Sequence, residues 1–340
     1  MNLGNTCYIN TAIQCLTTVP DFVRFMLAHP KRDDAPRIVD VFVDLLINLV
    51  HGSADFNDSE PQIKVVADAV SPRAFVNELK QCLSLHVHDP NDIQEFVALF
   101  LDKLNAGMCR KLPPEEYFAD EFDNGRLPLT MIQKLSRVHW YKLIGHEYSP
   151  IKDLFYGLTV SQIRCANCDK LHHNYEVFST ILVPPPNERT ELTLCLDNYF
   201  KEEKVADDWK CDGCNMNSTD NAKIVRICRL PKTLTVCIKR FADAHQKNNV
   251  IVDAPIELDV DSWTLPDGKG TRGRFKLRAM ACHSGDQQHG HYWGLMKSPV
   301  KQDSDAHWFK IDDAFVFHTG QPSVETPTEA YMFVYVRNEP

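Results

Sequence analysis

The sequence predicts an α+β fold, in which a helical first part packs against a mainly antiparallel β-sheet. Two observations support this prediction. Apolar residues in the first hundred positions recur with the period of an α-helix, whereas after about residue 150 the chain is rich in short apolar and β-branched runs. The 340 residues contain no internal repeat. A chain of this length is expected to form two or three subdomains.

The helices are predicted from apolar residues that recur at i, i+3, i+4 and i+7 with polar residues between them. Each apolar stripe marks the face that we expect to be buried. One predicted helix begins near Cys7, and a second covers 38–49. A third has its apolar positions over 93–104, with Pro90 marking its start. A further helical stretch covers 61–85, with Ser71-Pro72 as a start signal.

The strands are predicted from short apolar runs that end at proline or polar clusters. Pro184-Pro185-Pro186, for example, ends one of these runs. The predicted strands cover 154–163, 177–183, 224–230, 234–238, 279–282, 292–296, 308–311 and 331–336.

Composition and charge exclude several classes of function. The net charge of −9 argues against a general nucleic-acid binder, which needs basic patches. The most apolar stretch, 38–50, is interrupted by Asp40, Asp44 and Asn48, so no membrane span is expected. The N-terminus lacks the pattern of a signal peptide, and twelve cysteines without one suggest a reducing compartment, cytoplasmic or nuclear.

Two C-x-x-C pairs lie in the strand-rich part of the chain and predict a structural zinc site. Cys165 and Cys168 form the first pair, and Cys211 and Cys214 the second. Four thiolates can complete the tetrahedral shell of one Zn²⁺ ion, which leaves no position for a substrate. A redox pair or four incidental buried cysteines are the alternatives, and His172 or His173 could in principle replace a thiolate.

Cys7 lies where the turn Gly4-Asn5-Thr6 meets the first predicted helix, and Asn5 or Thr6 can cap that helix. The free N–H groups and the positive end of the helix dipole favour a thiolate in the first turn. From this position alone, a packed thiol is the more frequent explanation, because cysteine is often buried. A nucleophile also needs a base nearby.

Candidates for that base lie in the segment CHSGDQQHGHYWGLM, which begins at Cys282. The residues alone do not choose among His283, His289 and His291. Asp312-Asp313 follow a predicted strand, and one of these carboxylates could orient an imidazole, although paired acids often only end a strand in solvent.

Five motifs in order resemble those of the ubiquitin-specific proteases, a family of cysteine deubiquitinases. The first is NLGNTCYINTAIQ around Cys7, and the second is the DIQEF motif at 92–96. The remaining motifs are the two C-x-x-C pairs, LPKTLTVCIKRF at 230–241, and HSGDQQHGHYW at 283–293 followed by HWFKIDDAFV and AYMFVYVR.

The resemblance implies a role for particular residues. Cys7 matches the nucleophile of the family and His291 its general base. Asp312 matches the acid that orients the base, with Asp313 as an available substitute, and Asn2 matches the amide donor of the oxyanion hole.

The resemblance also implies residues that bind the substrate, which would be ubiquitin and ubiquitinated proteins. Asp92 and Glu95 would pair with arginines in the ubiquitin tail. Gly290 and Tyr292 would form a channel too narrow for side chains, which explains selection for a terminal Gly-Gly.

The fold implied by the resemblance is a papain-like cysteine protease shaped as a hand. A helical thumb over 1–150 would carry the catalytic cysteine, β fingers over 151–230 would carry the zinc, and an antiparallel palm sheet over 231–340 would carry the histidine and the aspartate. A protease for another ubiquitin-like modifier and a non-catalytic scaffold of the same fold are the two alternative functions.

Overall fold

The computed structural model describes most of the chain and has helices mainly in its first half. The described residues are 1–29, 36–52, 69–83, 86–117, 131–205, 209–217, 220–243, 246–265, 273–286, 289–297, 308–319 and 326–338. The helices are α1 (Cys7–Thr17), α2 (Pro20–Ala28), α3 (Arg37–Gly52), α4 (Arg73–Cys82), α5 (Ile93–Met108), α6 (Pro114–Tyr117), α7 (Met131–Ile144), α8 (Pro150–Phe155) and α9 (Leu192–Tyr199).

The helices predicted near Cys7, over 38–49 and over 93–104 are confirmed as α1, α3 and α5. α4 begins directly after Pro72, as predicted, while 61–68 and 84–85 lie outside the described residues. α5 begins at Ile93, three residues after the predicted start at Pro90, since Asp92 rather than Pro90 determines its start. Asp92 is the N-cap residue, and its Oδ1 atom accepts hydrogen bonds from the N–H groups of Gln94 (2.7 Å) and Glu95 (3.3 Å).

The buried faces of these helices meet in an aromatic cluster that fixes α3, α4 and α5 against one another. The Phe42 ring packs edge-on against Phe100 with centroids 4.9 Å apart, and Phe75 lies 5.6 Å from Phe42. All three side chains are fully buried. Their burial stabilises this helical part of the chain by roughly 1.5–3 kcal/mol for each side chain. None of the described helices is both long enough and apolar enough to cross a bilayer.

The strands occupy mainly the second half of the chain. In order they are β1 (Gly157–Arg164), β2 (Leu171–Phe178), β3 (Thr180–Val183), β4 (Thr190–Glu191), β5 (Glu203–Lys204), β6 (Ala222–Arg229), β7 (Thr233–Ile238), β8 (Phe241–Asp243), β9 (Gln246–Lys247), β10 (Val252–Asp253), β11 (Glu257–Asp259), β12 (Arg274–Gly285), β13 (Gly290–Lys297), β14 (Trp308–Asp312), β15 (Phe315–His318) and β16 (Ala330–Arg337).

Two predictions about this half are corrected by the structure. The run 154–163 begins in a helix, because Ser149 accepts a hydrogen bond from the N–H of Ile151 and Pro150 occupies the first helical turn of α8. The run 177–183 is two strands, β2 and β3, which belong to different sheets. Helix α9 lies where no helix was predicted.

A four-stranded antiparallel sheet in the order β2-β1-β6-β5 carries the paired cysteines near its strand ends. A larger sheet follows the order β15-β14-β13-β12-β16-β7-β3, with β11 paired to β12. All of its pairs are antiparallel except β3 with β7, so 180–183 lies in the large sheet although it falls between the strands of the small one. The α+β class is confirmed.

The position of the candidate site follows from the packing of α1 on the large sheet. Gly294 lies on the face of β13 beneath α1, and a Cβ at this glycine would be 3.5 Å from Thr11 Cγ2. This separation is an ordinary van der Waals contact, so α1 packs directly on β13 at this position. This packing brings the first turn of α1 beside the start of β13.

Candidate active site and metal site

Cys7 is the first residue of α1 and is almost completely buried. The turn that leads to it uses left-handed backbone at Gly4 (φ +97°) and Asn5 (φ +50°). Thr6 is the N-cap residue, but neither it nor Asn5 gives a side-chain cap as predicted: the Asn5 amide donates to His88 O instead. The N–H groups of the first turn thus remain without a side-chain acceptor beside the sulfur.

His291 is the histidine that the fold brings to Cys7. β13 and β14 are antiparallel neighbours, and the Nε2–H group of His291 donates to Asp312 Oδ1 over 2.6 Å. The other ring nitrogen, Nδ1, is left for the sulfur. The hydrogen bond with Cys7 and the one with Asp312 raise the pKa of His291 to about 9, although burial acts in the opposite direction.

The other two histidines of the segment have different environments. His289 has a side chain that is 84% exposed and lies beside Asp286. His283 is buried, and this burial, reinforced by the charge of Lys247, lowers its pKa to about 4. Of the three histidines, His291 is the one that interacts with Cys7 and Asp312 in the described structure.

Asp313 does not bond to the imidazole and has another set of partners. Its backbone is left-handed (φ +51°), which turns the carboxylate towards α1. One oxygen accepts from Asn10 Nδ2 at 2.7 Å and the other from Asn2 Nδ2 at 2.9 Å. Asp312 therefore contacts the imidazole, whereas Asp313 contacts the side-chain amides of Asn2 and Asn10.

Asn2 is held from both ends of its amide group. Its Oδ1 atom accepts from the N–H of Gly4 (2.9 Å), the N–H of Thr6 (3.2 Å) and the hydroxyl of Thr6 (3.1 Å). Its Nδ2 atom donates one hydrogen to Asp313, so one N–H remains for a further acceptor. The amide lies in the turn that delivers Cys7, as an oxyanion donor would.

Asp92 has fewer free acceptor positions than the sequence suggested. Its Oδ1 atom caps α5, and its Oδ2 atom accepts a short hydrogen bond from the hydroxyl of Tyr331 on β16. A carboxylate offers about four acceptor positions, so three are used and one on Oδ2 remains. Glu95 is exposed in the first turn of α5. Sequence reasoning did not identify Tyr331, which lies 239 residues from Asp92.

Gly290 and Tyr292 differ in how much of them a substrate could touch. Gly290 is exposed, whereas the Tyr292 side chain is buried and packs 4.5 Å from the ring of His283 and 6.1 Å from that of Tyr331. A Cβ at Gly290 would lie 2.1 Å from His283 Nε2, so no other residue fits over this imidazole without a shift. Tyr292 therefore packs beneath exposed Gly290 as a buried side chain and does not itself line a surface.

The four cysteines of the two pairs meet in one cluster, although the pairs are far apart in sequence. All four sulfur atoms lie within 4.8 Å of one another. The Cys165–Cys214 and Cys168–Cys211 sulfur distances are both 3.7 Å. A zinc ion bound tetrahedrally with Zn–S bonds of about 2.3 Å requires sulfur atoms about 3.8 Å apart. The donor set and its geometry therefore fit a zinc ion.

The two pairs are built in the same way. In each, the residue after the second cysteine is left-handed, Asp169 at φ +56° and Asn215 at φ +61°. The N–H of each bonds back to the carbonyl of the first cysteine, Cys165 at 2.9 Å and Cys211 at 2.8 Å. Such tight turns point successive N–H groups and two sulfur atoms towards one centre, as a metal knuckle requires.

Comparison with known proteins shows the family to which the sequence is related. Residues 1–335 match the family model described as ubiquitin carboxyl-terminal hydrolase. Ubiquitin carboxyl-terminal hydrolase 5 of Saccharomyces cerevisiae is 28% identical over 367 residues, which cover 99% of this chain and 44% of the relative. Ubiquitin carboxyl-terminal hydrolase Usp2 of Drosophila melanogaster is 27% identical, with 99% of this chain and 34% of that protein covered.

Solved structures share the fold. The SAGA DUB module of Ubp8, Sgf11, Sus1 and Sgf73 bound to monoubiquitin matches with a TM-score of 0.69 at 19% identity, covering all of this chain and 68% of the other. The same module bound to ubiquitin aldehyde matches with a TM-score of 0.68 at 20% identity, with 69% of that chain covered.

The chain spans less than half the length of the curated relatives described above. Within that span, the order of the motifs, the Cys7–His291–Asp312 arrangement and the four-cysteine cluster are all present. The match of the family model over nearly the entire sequence leads to one conclusion: this chain belongs to the ubiquitin carboxyl-terminal hydrolase family.

Proposed function

We propose that this chain is a thiol-dependent deubiquitinase that hydrolyses the isopeptide or peptide bond after the terminal Gly-Gly of ubiquitin. The observation that carries the proposal is the 2.6 Å hydrogen bond between His291 and Asp312, together with the interaction of Cys7 that raises the pKa of His291. A buried sulfur at a helix N-terminus beside an imidazole held by a carboxylate is the arrangement of a cysteine protease. The family match and the relatives named as hydrolases support it.

The chemistry starts with the thiolate–imidazolium pair that the raised pKa of His291 favours. The Cys7 sulfur attacks the glycine carbonyl and forms the tetrahedral intermediate. As the C–N bond breaks, His291 gives its proton to the leaving lysine amine, and a thioester remains on Cys7. Water that loses its proton to His291 then attacks the thioester, and the carboxylic acid leaves with Cys7 restored.

The developing oxyanion needs hydrogen-bond donors before the reaction begins. The remaining N–H of the Asn2 amide and the uncapped N–H groups at the start of α1 supply them in this proposal. Asp312 keeps the imidazole in one tautomer through its bond to Nε2.

Recognition of the substrate tail depends on the acids at the start of α5. Asp92 offers one acceptor position and the exposed Glu95 offers its whole carboxylate, so together they suit the two basic side chains of the ubiquitin tail. Exposed Gly290 lets the Gly-Gly backbone pass close to β13 before it reaches Cys7.

We propose zinc as the structural cofactor of the small sheet. Cys165, Cys168, Cys211 and Cys214 would hold the ion, which supplies a cross-link between the two hairpin ends and takes no part in hydrolysis. All twelve cysteines lie in the described residues, and no disulfide joins any two of them. A cytosolic or nuclear location remains part of the proposal.

The deciding experiment uses ubiquitin that carries a C-terminal electrophile. We expect Cys7 to form a stoichiometric adduct, seen by intact-mass spectrometry, and the Cys7→Ala variant to form none. Parallel reactions with ubiquitin-like modifiers carrying the same electrophile separate a deubiquitinase from a protease for another modifier. Failure of every probe to label a folded protein would identify a non-catalytic scaffold and overturn the proposal.

A further inference from the structure

His172 on β2 reaches the metal cluster although it belongs to neither cysteine pair. Its Nε2 atom lies 3.3 Å from Cys211 Sγ, within the distance of a hydrogen bond to sulfur. Its Nδ1 atom lies 3.3 Å from Asp212 Oδ1, and the ring packs edge-on against Trp209 with centroids 5.1 Å apart. The imidazole is therefore held on three sides with one nitrogen directed at a metal-binding sulfur.

The neighbouring His173 provides the contrast. Side chains alternate across a strand, so His173 lies on the opposite face of β2, where its Nε2 atom contacts Gln162 Nε2 at 3.1 Å. Of the two histidines, only His172 approaches a cysteine of the cluster within the described residues.

The four sulfur atoms differ in their access to water. Cys165 and Cys211 are fully buried, whereas Cys168 is exposed and Cys214 is partly exposed. Four thiolates around a divalent ion keep a net charge of about −2, which hydrogen-bond donors must balance. Water can supply donors to Cys168 and Cys214, but buried Cys211 depends on protein groups. These include the N–H groups of Gly213, at 3.3 Å from the sulfur, and Cys214, together with His172.

We propose that His172 donates its Nε2–H group to Cys211 Sγ and thereby keeps the zinc ion in place. It is not a fifth ligand, because the four sulfur atoms already stand at the separation of a complete tetrahedral shell. Asp212 Oδ1 lies beside the other ring nitrogen of His172, and the same oxygen accepts a hydrogen bond from Lys170 Nζ at 2.8 Å. The inference rests on the proposed zinc site and is independent of deubiquitinase activity.

The experiment compares three variants of the full chain in its zinc-bound form. His172→Leu removes the donor, His172→Gln keeps an N–H donor on a side chain of similar length, and His173→Leu is the matched control on the other face. The first measurement is the rate of zinc release to a chromogenic chelator. Groups that hydrogen-bond a metal ligand typically change metal affinity about 10- to 100-fold, so we expect release at least about tenfold faster from His172→Leu. Wild-type rates are expected for His173→Leu and nearly so for His172→Gln.

The second measurement uses Co²⁺ in place of Zn²⁺ and reports on the sulfur itself. Loss of a hydrogen bond to a thiolate raises the energy of its electrons, so the sulfur-to-cobalt charge-transfer band of His172→Leu should move to longer wavelength. The bands of His172→Gln and His173→Leu should stay in place. A role in packing alone would speed release without moving the band.

Three outcomes would overturn the inference. They are wild-type release from His172→Leu, an unmoved cobalt band in that variant, and equal acceleration in His172→Gln and His172→Leu. If His172→Leu does not fold, a wild-type rate and band in His172→Gln support the inference, and faster release from His172→Gln contradicts it. A wild-type protein that folds without any zinc would instead refute the metal site itself, whether or not the chain cleaves ubiquitin.

Discussion

At the scale of single residues, His291 determines how the rate should depend on pH. Its pKa lies at about 9, above its ordinary value of 6.5, because of the hydrogen bonds with Cys7 and Asp312. The protonated form therefore persists at neutral pH and is lost as the pH rises through about 9. Since the leaving amine needs that proton, we expect single-turnover acylation of an isopeptide substrate to fall across this range.

Replacement of Asp312 should shift this fall in rate, the alkaline limb of the pH profile, to lower pH. In Asp312→Asn the carboxylate no longer raises the pKa of His291, so the fall in rate should begin at lower pH. Ubiquitin thioesters serve as the control, because a thiolate leaving group needs no proton and the limb should disappear. An unchanged limb in Asp312→Asn would show that Asp312 does not set the protonation of His291.

Asp313 acts through other residues, and a second prediction follows from its bonds to Asn2 and Asn10. Asp313→Ala should lower kcat, with Asn2→Ala as the reference, because loss of one oxyanion donor typically lowers kcat about 10²- to 10³-fold. If Asp313 works by positioning the Asn2 amide, the double variant should lose no more than Asn2→Ala alone. If the losses in kcat of the two single variants multiply in the double variant, Asp313 has a separate role. A shift of the pH profile in Asp313→Ala would lead to the same conclusion.

At the scale of elements, a hydrogen bond between Asp92 and Tyr331 joins the start of α5 to β16 of the large sheet. Asp92→Asn with Glu95→Gln removes both charges while asparagine can still cap the helix. We expect kcat/KM to fall at least about tenfold with little change in Tm. Mutation of the arginines in the ubiquitin tail should then affect this double variant much less than the wild type.

The matched control for this prediction is Glu257→Gln with Asp259→Asn, which removes two exposed acids from β11. Tyr331→Phe tests the contact itself: it should raise KM more than it lowers kcat, since Asp92 loses the hydroxyl that orients Oδ2. Unchanged kinetics with a lowered Tm would show that the acids of α5 serve only the helix.

At the scale of the whole molecule, the four-cysteine cluster brings together two hairpin ends of the small sheet, although 42 residues separate Cys168 from Cys211 in the chain. Removal of zinc should leave this sheet without its cross-link. We expect chelation, or Cys168→Ser, to lower Tm by at least about 5 °C, since structural zinc contributes directly to folding free energy.

Cys228→Ser is the control for this prediction, because Cys228 lies on β6 of the same sheet outside the cluster. Hydrolysis of a small fluorogenic ubiquitin substrate should persist in the folded fraction, since a four-sulfur shell has no open position for chemistry. Activity that disappears with the metal while Tm is unchanged would contradict a purely structural role.

Much of this organisation was determined by local sequence. The apolar period predicted α1, α3 and α5, because a helix buries one face and the residues on that face must recur every three or four positions. Two C-x-x-C pairs predicted the cluster of four sulfurs. The error at 154–163 was also local: Ser149-Pro150 is a helix start that the apolar run concealed.

The residues by themselves left the base, the orienting acid and the helix cap open, and the resemblance to a family supplied His291 and Asp312. The contacts among these residues have physical reasons that no local pattern contains. Antiparallel pairing of β13 with β14 places His291 beside Asp312, while the left-handed backbone of Asp313 turns its carboxylate to Asn2.

The same distinction applies to the contacts that connect distant parts of the chain. Asp92 meets Tyr331 across 239 residues, and His172 meets Cys211 across 39. A sequence records which residues can donate or accept a hydrogen bond. Which donor meets which acceptor depends on how α5 packs against the large sheet and on how the two hairpin ends approach each other. Only the packing of the whole core determines these two arrangements.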